Sequence, residues 1–293
     1  MKEYYHKFLD FLLFSNIFIA LGAAAQGLLT YHLLGIDPHP GVIAFLFFST
    51  LIIYNFSILI EKPVNAKNSP YRRVQWIFSY YRMNISITMI AILSIIPLFF
   101  LLSFSAQVLL VFLGLLAFGY GMPLFSINDK KFGLRNIPGL KLFLIGLVWA
   151  VSCVMLPVLE INDTHAINVS MTDVVLLTAK RFLFVCAITV PFDIRDLFQD
   201  KKYDLKTIPT VFGEKKAYLF CQLLLLIYLV LLFLFNGQLD SDFLALTLTV
   251  FLTGWLIFKS SWEKNEYYYF LYLDGTLILQ FILVYIFAWI PWI

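Results

Sequence analysis

The stretch Pro191-Phe-Asp-Ile-Arg-Asp-Leu-Phe-Gln-Asp-Lys-Lys-Tyr-Asp-Leu-Lys-Thr-Ile-Pro-Thr-Val-Phe-Gly213 decides how this chain is read. It follows an unbroken apolar run and then presents Asp193, Asp196, Asp200 and Asp204. At about 100° per residue the four carboxylates fall at about 0°, 300°, 340° and 20° around a helix, a stripe about 80° wide. Like charges stacked this way repel, so the stripe calls for a counter-cation. Spacing alone leaves two readings open. One is a divalent metal carrying a phosphate, because Mg²⁺ favours carboxylates together with phosphate oxygens. The other is a solvated acidic face balanced by Arg195, Lys201 and Lys202.

The surroundings of that stretch are membrane-like. The 293 residues are 61% hydrophobic and 13% charged, with a mean hydropathy of +0.86, far from the balance of a soluble domain. Nine apolar runs have the length of a bilayer crossing, at about 8–34, 41–60, 85–102, 107–125, 140–158, 172–192, 215–235, 243–260 and 269–289. This predicts an all-α polytopic membrane protein, one transmembrane domain over residues 1–293. The first run lacks a small-residue cleavage site of signal-peptide type and is read as a retained span.

Charge placement tests the count. With a cytoplasmic N-terminus, the inner segments are 1–7, 61–84, 126–139, 193–214 and 261–268. Of the 21 Lys and Arg residues, all but Lys180 and Arg181 fall in these segments or at the flanking span ends. The opposite loops, 35–40, 103–106, 159–171 and 236–242, carry Asp37, Glu160, Asp163, Asp240 and Asp242 and no Lys or Arg. This is the positive-inside asymmetry, and a wrong count would scramble it. The net charge of +3 therefore reflects orientation and points to no nucleic acid. Cys153, Cys186 and Cys221 lie in apolar spans and read as core residues. His6, His32, His39 and His165 have no ligand spacing, which argues against zinc. Phosphate-binding GxxxxGK[ST] and strand-associated GxGxxG loops are absent; Gly119-Tyr120-Gly121 reads as a packing relief at a span end.

Two long inner loops, about 61–84 and 193–214, carry the polar chemistry after the second and sixth spans. The first holds Asn68-x-Pro70-x-Arg72; the second continues into Lys206-Thr207-Ile208-Pro209 and Gly213. A third element runs through Tyr120-Gly-Met-Pro123, Arg135, Lys141 and Trp149-Ala150. With nine spans and Asp193-x-x-Asp196-x-x-x-Asp200 after the sixth, the chain resembles the UbiA-type superfamily of intramembrane prenyltransferases over essentially its whole length.

The resemblance implies nine helices around a central cavity. It also implies a reaction in which Mg²⁺, bridging two acidic motifs, holds an isoprenoid diphosphate. Metal and nearby cations stabilise the departing diphosphate, and the allylic cation alkylates a hydrophobic acceptor, often an aromatic ring. An apolar chamber inside a bilayer shields that cation from water. By carry-over, Asp193, Asp196 and Asp200 are catalytic metal ligands, joined by Asn55 and Glu61. Asn55, Asn68, Arg72, Tyr120, Lys202 and Lys206 are expected to contact the substrate. Arg72 is suited to bidentate phosphate contact and the lysines to point-charge contact. Asp204 stands where the family often has Gly and is left out of the ligand set.

The first motif departs from the pattern. Its Asn matches Asn55, but its acidic positions fall on Phe56, Leu59 and Pro63. Glu61 lies at about 240° from Asn55 on a regular helix, off the inward stripe. Three outcomes stay open: metal held by the second motif with Asn55 and Glu61, a different donor, or lipid or partner binding without transfer. Transport is a third class, hinted at by Pro97, Lys180 and Arg181. Lys180 and Arg181 lie deep in an apolar run, where a cation either lines a cavity or snorkels outward. Asp274 either caps the last helix or faces the cavity. The setting expected is a bacterial inner membrane with both motif loops cytoplasmic.

Overall fold

In lipid, a helix satisfies its own backbone N–H and C=O groups, so apolar runs of crossing length fold as helices. The computed structural model describes residues 2–60, 69, 71–121, 125–127, 130–132, 139–165, 169–202, 205–235 and 240–290. Helix α1 (Lys2–Phe14) is followed by α2 (Ile17–Leu33), α3 (Pro40–Ile60), a short α4 (Arg72–Ser79), α5 (Tyr81–Leu101) and α6 (Phe104–Gly121). A small antiparallel hairpin pairs β1 (Phe125–Ile127) with β2 (Lys130–Phe132), Phe125 opposite Phe132. Helix α7 (Leu140–Ala150) runs through a π-helical turn at Val151–Met155 into α8 (Leu156–His165). Then come α9 (Met171–Arg195), α10 (Leu197–Lys202), α11 (Ile208–Phe212), α12 (Glu214–Phe235) and α13 (Ser241–Lys259). A π-helical Tyr268–Leu273 leads into the last helix, α14 (Gly275–Ala288).

The described residues of the expected apolar runs are largely helical, and the chain is an integral multi-pass membrane protein. Seven helical stretches among the described residues are long and apolar enough to cross a bilayer, or eight if a bent pair counts as one span. That pair is α1 with α2, bent by 61°. The expectation of one continuous span over 8–34 is thus corrected. Asn16 takes a left-handed conformation (φ 66°) between the two helices, which Asn tolerates better than most residues. Helix α1 exposes Tyr4, Tyr5 and Phe8, as an interfacial amphipathic helix does. The crossing expected at 107–125 is a shorter apolar helix, Phe104–Gly119.

Helix α9 is the spine of the bundle. It packs against α7 on one side and α12 on the other, while α2 packs against α3 and α14. Phe184, Ala187, Val190 and Ile194 of α9 share one apolar core with Cys221 and Tyr228 of α12 and Leu277 of α14. The close approach of α7 needs Gly146: a Cβ there would stand 2.5 Å from Cys186 Sγ and 3.0 Å from the Phe182 ring. Small residues play this part at membrane helix contacts.

Arg181 neither snorkels nor lines the cavity described below. It is 5% exposed. Its Nη2 donates to Gln26 O at 3.2 Å and Thr30 Oγ1 at 3.3 Å, and its Nη1 to Gln280 Oε1 at 3.5 Å. These neutral acceptors tie α9 to α2 and α14. Among the described residues no carboxylate forms an ion pair with it.

Two stability measurements follow. Gly146→Val should cost about 1–3 kcal/mol by overpacking, read as a lower thermal midpoint in detergent. Gly114→Ala, where a Cβ meets nothing within 4 Å, should hold or raise it; equal effects would contradict the packing account. Arg181→Met removes a buried charge and should keep or raise the midpoint. Gln280→Leu strips that charge of an acceptor and should lower it. The opposite order would show that the guanidinium stabilises the fold.

Candidate functional site

A cavity of about 210 Å³ opens where the ends of several helices meet. Its floor is apolar, with Ile19, Ile145, Trp149, Val185, Ile188 and Leu277. The polar part of its lining is Asn16, Tyr54, Arg73, Lys141, Thr189, Asp193, Arg195, Asp196 and Asp274. The chain builds this end from helix termini, where polar residues interrupt apolar runs: α2 begins beside Asn16, α7 begins with Leu140–Lys141, and α9 ends at Arg195. Helix α4 brings Arg73 to the same cavity.

Two acidic side chains of the sixth-segment motif are held by cations. Asp193, 3% exposed, accepts from Lys141 Nζ at 2.5 Å, joining α9 to α7. Asp196 receives both Arg195 Nε and Nη2, each at 2.8 Å, in a bidentate pair. The Arg195 guanidinium also lies over Phe192, Tyr269 and Phe270, at 5.2, 5.5 and 5.2 Å from the ring centroids. Such cation–π contacts keep a planar cation in place without neutralising it.

Another part of the lining is a hydrogen-bonded chain. Asn55 Oδ1 accepts from Asn16 Nδ2 at 2.7 Å, and Asn16 Oδ1 accepts from Arg73 Nη2 at 2.5 Å. Arg73 stands over the Phe270 ring at 4.6 Å, and its backbone N–H donates to Glu266 Oε2 at 2.9 Å. Burial, then the nearby Arg195, lowers the Arg73 guanidinium to about 10, with Asp274 and Glu266 opposing the shift. It therefore stays charged at neutral pH. Burial raises the Glu266 carboxyl from its ordinary value.

Helix α4 is fastened on the side away from the cavity as well. Arg72 Nη2 donates to Asp10 Oδ2 at 2.6 Å, and the Tyr267 hydroxyl donates to Asp10 Oδ1. The Tyr71 hydroxyl donates to Gln199 Oε1 at 2.6 Å. Arg72 thus lines a separate hollow with His6, Lys7, Asp10, Trp76 and Tyr80, and the structure puts its neighbour Arg73 in the cavity instead. A signal for this existed: Ile77, 2% exposed, lies four residues after Arg73 on one helical face.

The other expected residues separate into three sets. Asp193 and Asp196 line the cavity; Asp200 does not. The helix turns at Asp196 (φ −90°, ψ 8°) before α10 begins, so the regular stripe of the sequence reading is broken there. Asp200 is buried within α10. Asn55 is buried behind Asn16, and Lys206 is exposed. Glu61, Asn68 and Asp204, and the side chains of Tyr120 and Lys202, lie outside the described residues. Phe56, at a lost acidic position, is 40% exposed, stacks on Phe118 at 5.9 Å and is not part of the cavity lining. Thr207 and Pro209 serve α11, where Thr207 and Thr210 form a capping box and Gly213 takes φ 84°, a region that favours glycine. Asp274 makes no side-chain cap and lines the cavity. Among the polar lining residues, Asn16, Tyr54, Arg73, Lys141, Thr189 and Arg195 were not among the expected metal or substrate contacts, although Lys141 and Arg195 lay in the elements quoted above.

Does this donor set suit a metal bridging two acidic motifs? Mg²⁺ demands near-octahedral oxygen donors. Here Asp193 and Asp196 are already paired with Lys141 and Arg195, Arg73 adds a guanidinium to the lining, and Glu61 lies outside the described residues. Among the described residues, no group of three or more His, Cys, Asp or Glu side chains is arranged to hold a metal ion. The described residues therefore do not fit the two-motif cage.

Comparison with known proteins agrees with the architecture. The model of the UbiA prenyltransferase family matches residues 81–269. A search of curated proteins finds no match. Among solved structures, the chain is similar to the apo structure of a UbiA homolog from Aeropyrum pernix K1, with 13% identity and a TM-score of 0.60 over 94% of this chain and 96% of that one. It is also similar to a digeranylgeranylglyceryl phosphate synthase, with 14% identity and a TM-score of 0.53 over 96% and 97% of the two chains. The family match spans well over half of the sequence, and these likenesses carry the same helical fold: the chain belongs to the UbiA prenyltransferase family.

Proposed function

We propose that this protein transfers an isoprenoid group from a diphosphate donor to an aromatic or lipid acceptor inside the membrane. One observation carries the reading: three cations, Arg73, Lys141 and Arg195, converge on the polar end of a cavity whose floor is apolar. In the reaction the allylic C–O bond breaks and the electron pair leaves with the diphosphate. The allylic carbon then bonds to the acceptor. The proton the acceptor loses is taken up by the departing diphosphate, a base that the reaction itself supplies. The guanidinium and ammonium groups stabilise the charge developing on the leaving group, while Ile188, Trp149 and Leu277 keep water from the cation.

The volume supports a head-group site. Ligand pockets commonly span roughly 300–1,000 Å³, and this one is about 210 Å³. It suits the diphosphate and the reacting carbon, with the rest of the chain running between helices to the lipid. Asp193 acts as a positioning residue that aims Lys141 across the cavity mouth. The placement of Lys and Arg supports a cytoplasmic N-terminus and a cytoplasmic mouth, and the proposal includes a bacterial inner membrane. Magnesium is a variable of the assay, since the described side chains do not assemble the two-motif cage.

A second reading, lipid or partner binding on the same scaffold without transfer, is favoured by the engagement of both cavity aspartates with protein cations. One assay separates the two. Membranes containing the protein are incubated with radiolabelled isoprenoid diphosphates and a lipid or aromatic extract, with and without Mg²⁺. Transfer predicts release of diphosphate and a lipid-extractable product. Lys141→Met and Asp193→Asn should each lower turnover at least about tenfold, and Lys141→Arg should retain part of it. Release that is absent throughout supports the binding reading; release untouched by these substitutions removes this cavity as the site.

A further inference from the structure

The inference rests on the proposed function and concerns how the donor's diphosphate is held. Around the cavity, three buried nitrogen donors have no hydrogen-bond partner: Arg73 Nε, Arg195 Nη1 and Asn55 Nδ2. Arg73 and Arg195 line the cavity, and Asn55 lies directly behind Asn16. A buried donor left unpaired is costly. Donors require acceptors, so the missing partner bears oxygens, and it joins a lining that holds Asp196, paired with Arg195, and Asp274. A metal cation would satisfy none of the three.

The wall that carries two of these donors is the one that changed. Asn55 keeps the first position of the eroded motif, but the chain from Asn55 through Asn16 ends on a cation, the Arg73 guanidinium. Of the lost acidic positions, Phe56 is outside the cavity lining and stacks on Phe118; the Leu59 side chain and Pro63 lie outside the described residues. In the same lining, Asp193 and Asp196 are each paired with a neighbouring cation. A carboxylate–metal pair on one wall has its electrostatic counterpart here in a permanent protein cation. Arg is suited to this, because its planar fork matches phosphate oxygens bidentately.

We propose that Arg73, with Arg195 and Lys141, grips the donor's diphosphate directly and replaces the metal that a first acidic motif would hold, so that donor binding does not require magnesium. The probes are inorganic pyrophosphate and an isoprenoid thiodiphosphate, titrated calorimetrically into the detergent-purified full chain in EDTA and in Mg²⁺. The expected result is saturable binding in EDTA, with affinity within about threefold of that in Mg²⁺. Arg73→Gln should weaken it about 10- to 100-fold. Arg73→Lys keeps the charge without the fork and should fall between. If Arg73→Gln fails to fold, the Lys variant and Arg195→Lys still read the fork.

Binding that vanishes in EDTA and returns with Mg²⁺ overturns the inference, as does wild-type affinity in Arg73→Gln. The outcome is separable from that of the transfer assay. Metal-free pyrophosphate binding without any product sustains this inference and sinks transfer. Product formed with strict Mg²⁺ dependence of binding does the reverse.

Discussion

A charge taken out of water must be paired or satisfied by donors and acceptors within the protein. That constraint organises this molecule. The charged side chains that line the cavity collect where α2, α7, α9 and the π-helical turn before α14 begin or end, with Arg73 brought in by α4. Lys141 to Asp193, Arg195 to Asp196, and Arg73 through Asn16 to Asn55 are the links of that layer. Each joins elements far apart in sequence or fixes a helix end, so the layer is at once the clamp of the bundle and the mouth of its cavity. The aromatic faces of Phe192, Tyr269 and Phe270 hold the half-buried Arg195 guanidinium in place.

The same layer explains how a member of this family can lack acidic residues in its first motif and still present an anion site. Removing carboxylates from one wall removes the negative potential that would draw a divalent ion there. On the proposed reading, the Arg73 guanidinium beside Asn16 gives that part of the lining positive charge and attracts the phosphate itself. The Asn16 side chain makes the exchange possible, because its left-handed backbone lets it receive Arg73 and donate to Asn55 at once. Arg181, by contrast, belongs to the interior: its neutral partners on α2 and α14 keep it apart from the reactive end.

Much of the fold was legible because its signals are local and one-dimensional. Apolar run length and the distribution of Lys and Arg are read directly along the chain, and the long apolar helices lie where those signals put them, whereas α4, α10 and α11 fall in segments read as loops. Asp193 and Asp196 were legible for the same reason, being neighbours on one helix. The rest depended on breaks and phases. Asp200 left the stripe because the helix turns at Asp196. The first run became two helices because one residue, Asn16, turned left-handed. Arg72 and Arg73 are adjacent, so a single step of about 100° decides which enters the cavity, and the Asp10–Arg72 pair settles it. Contacts between residues 16, 55 and 73, or 141 and 193, have no sequence signature in one chain.

The most direct measurement is an experimental structure of the full chain with an isoprenoid thiodiphosphate bound, prepared in the presence of Mg²⁺. The account predicts phosphate oxygens in contact with Arg73, Arg195 and Lys141, the isoprenoid carbon against Ile188 and Leu277, and no metal joining Asp193 to the segment after α3. A diphosphate held between Asp193, Asp196 and residues 61–68 through bridging metal ions, with Arg73 turned away, would contradict it.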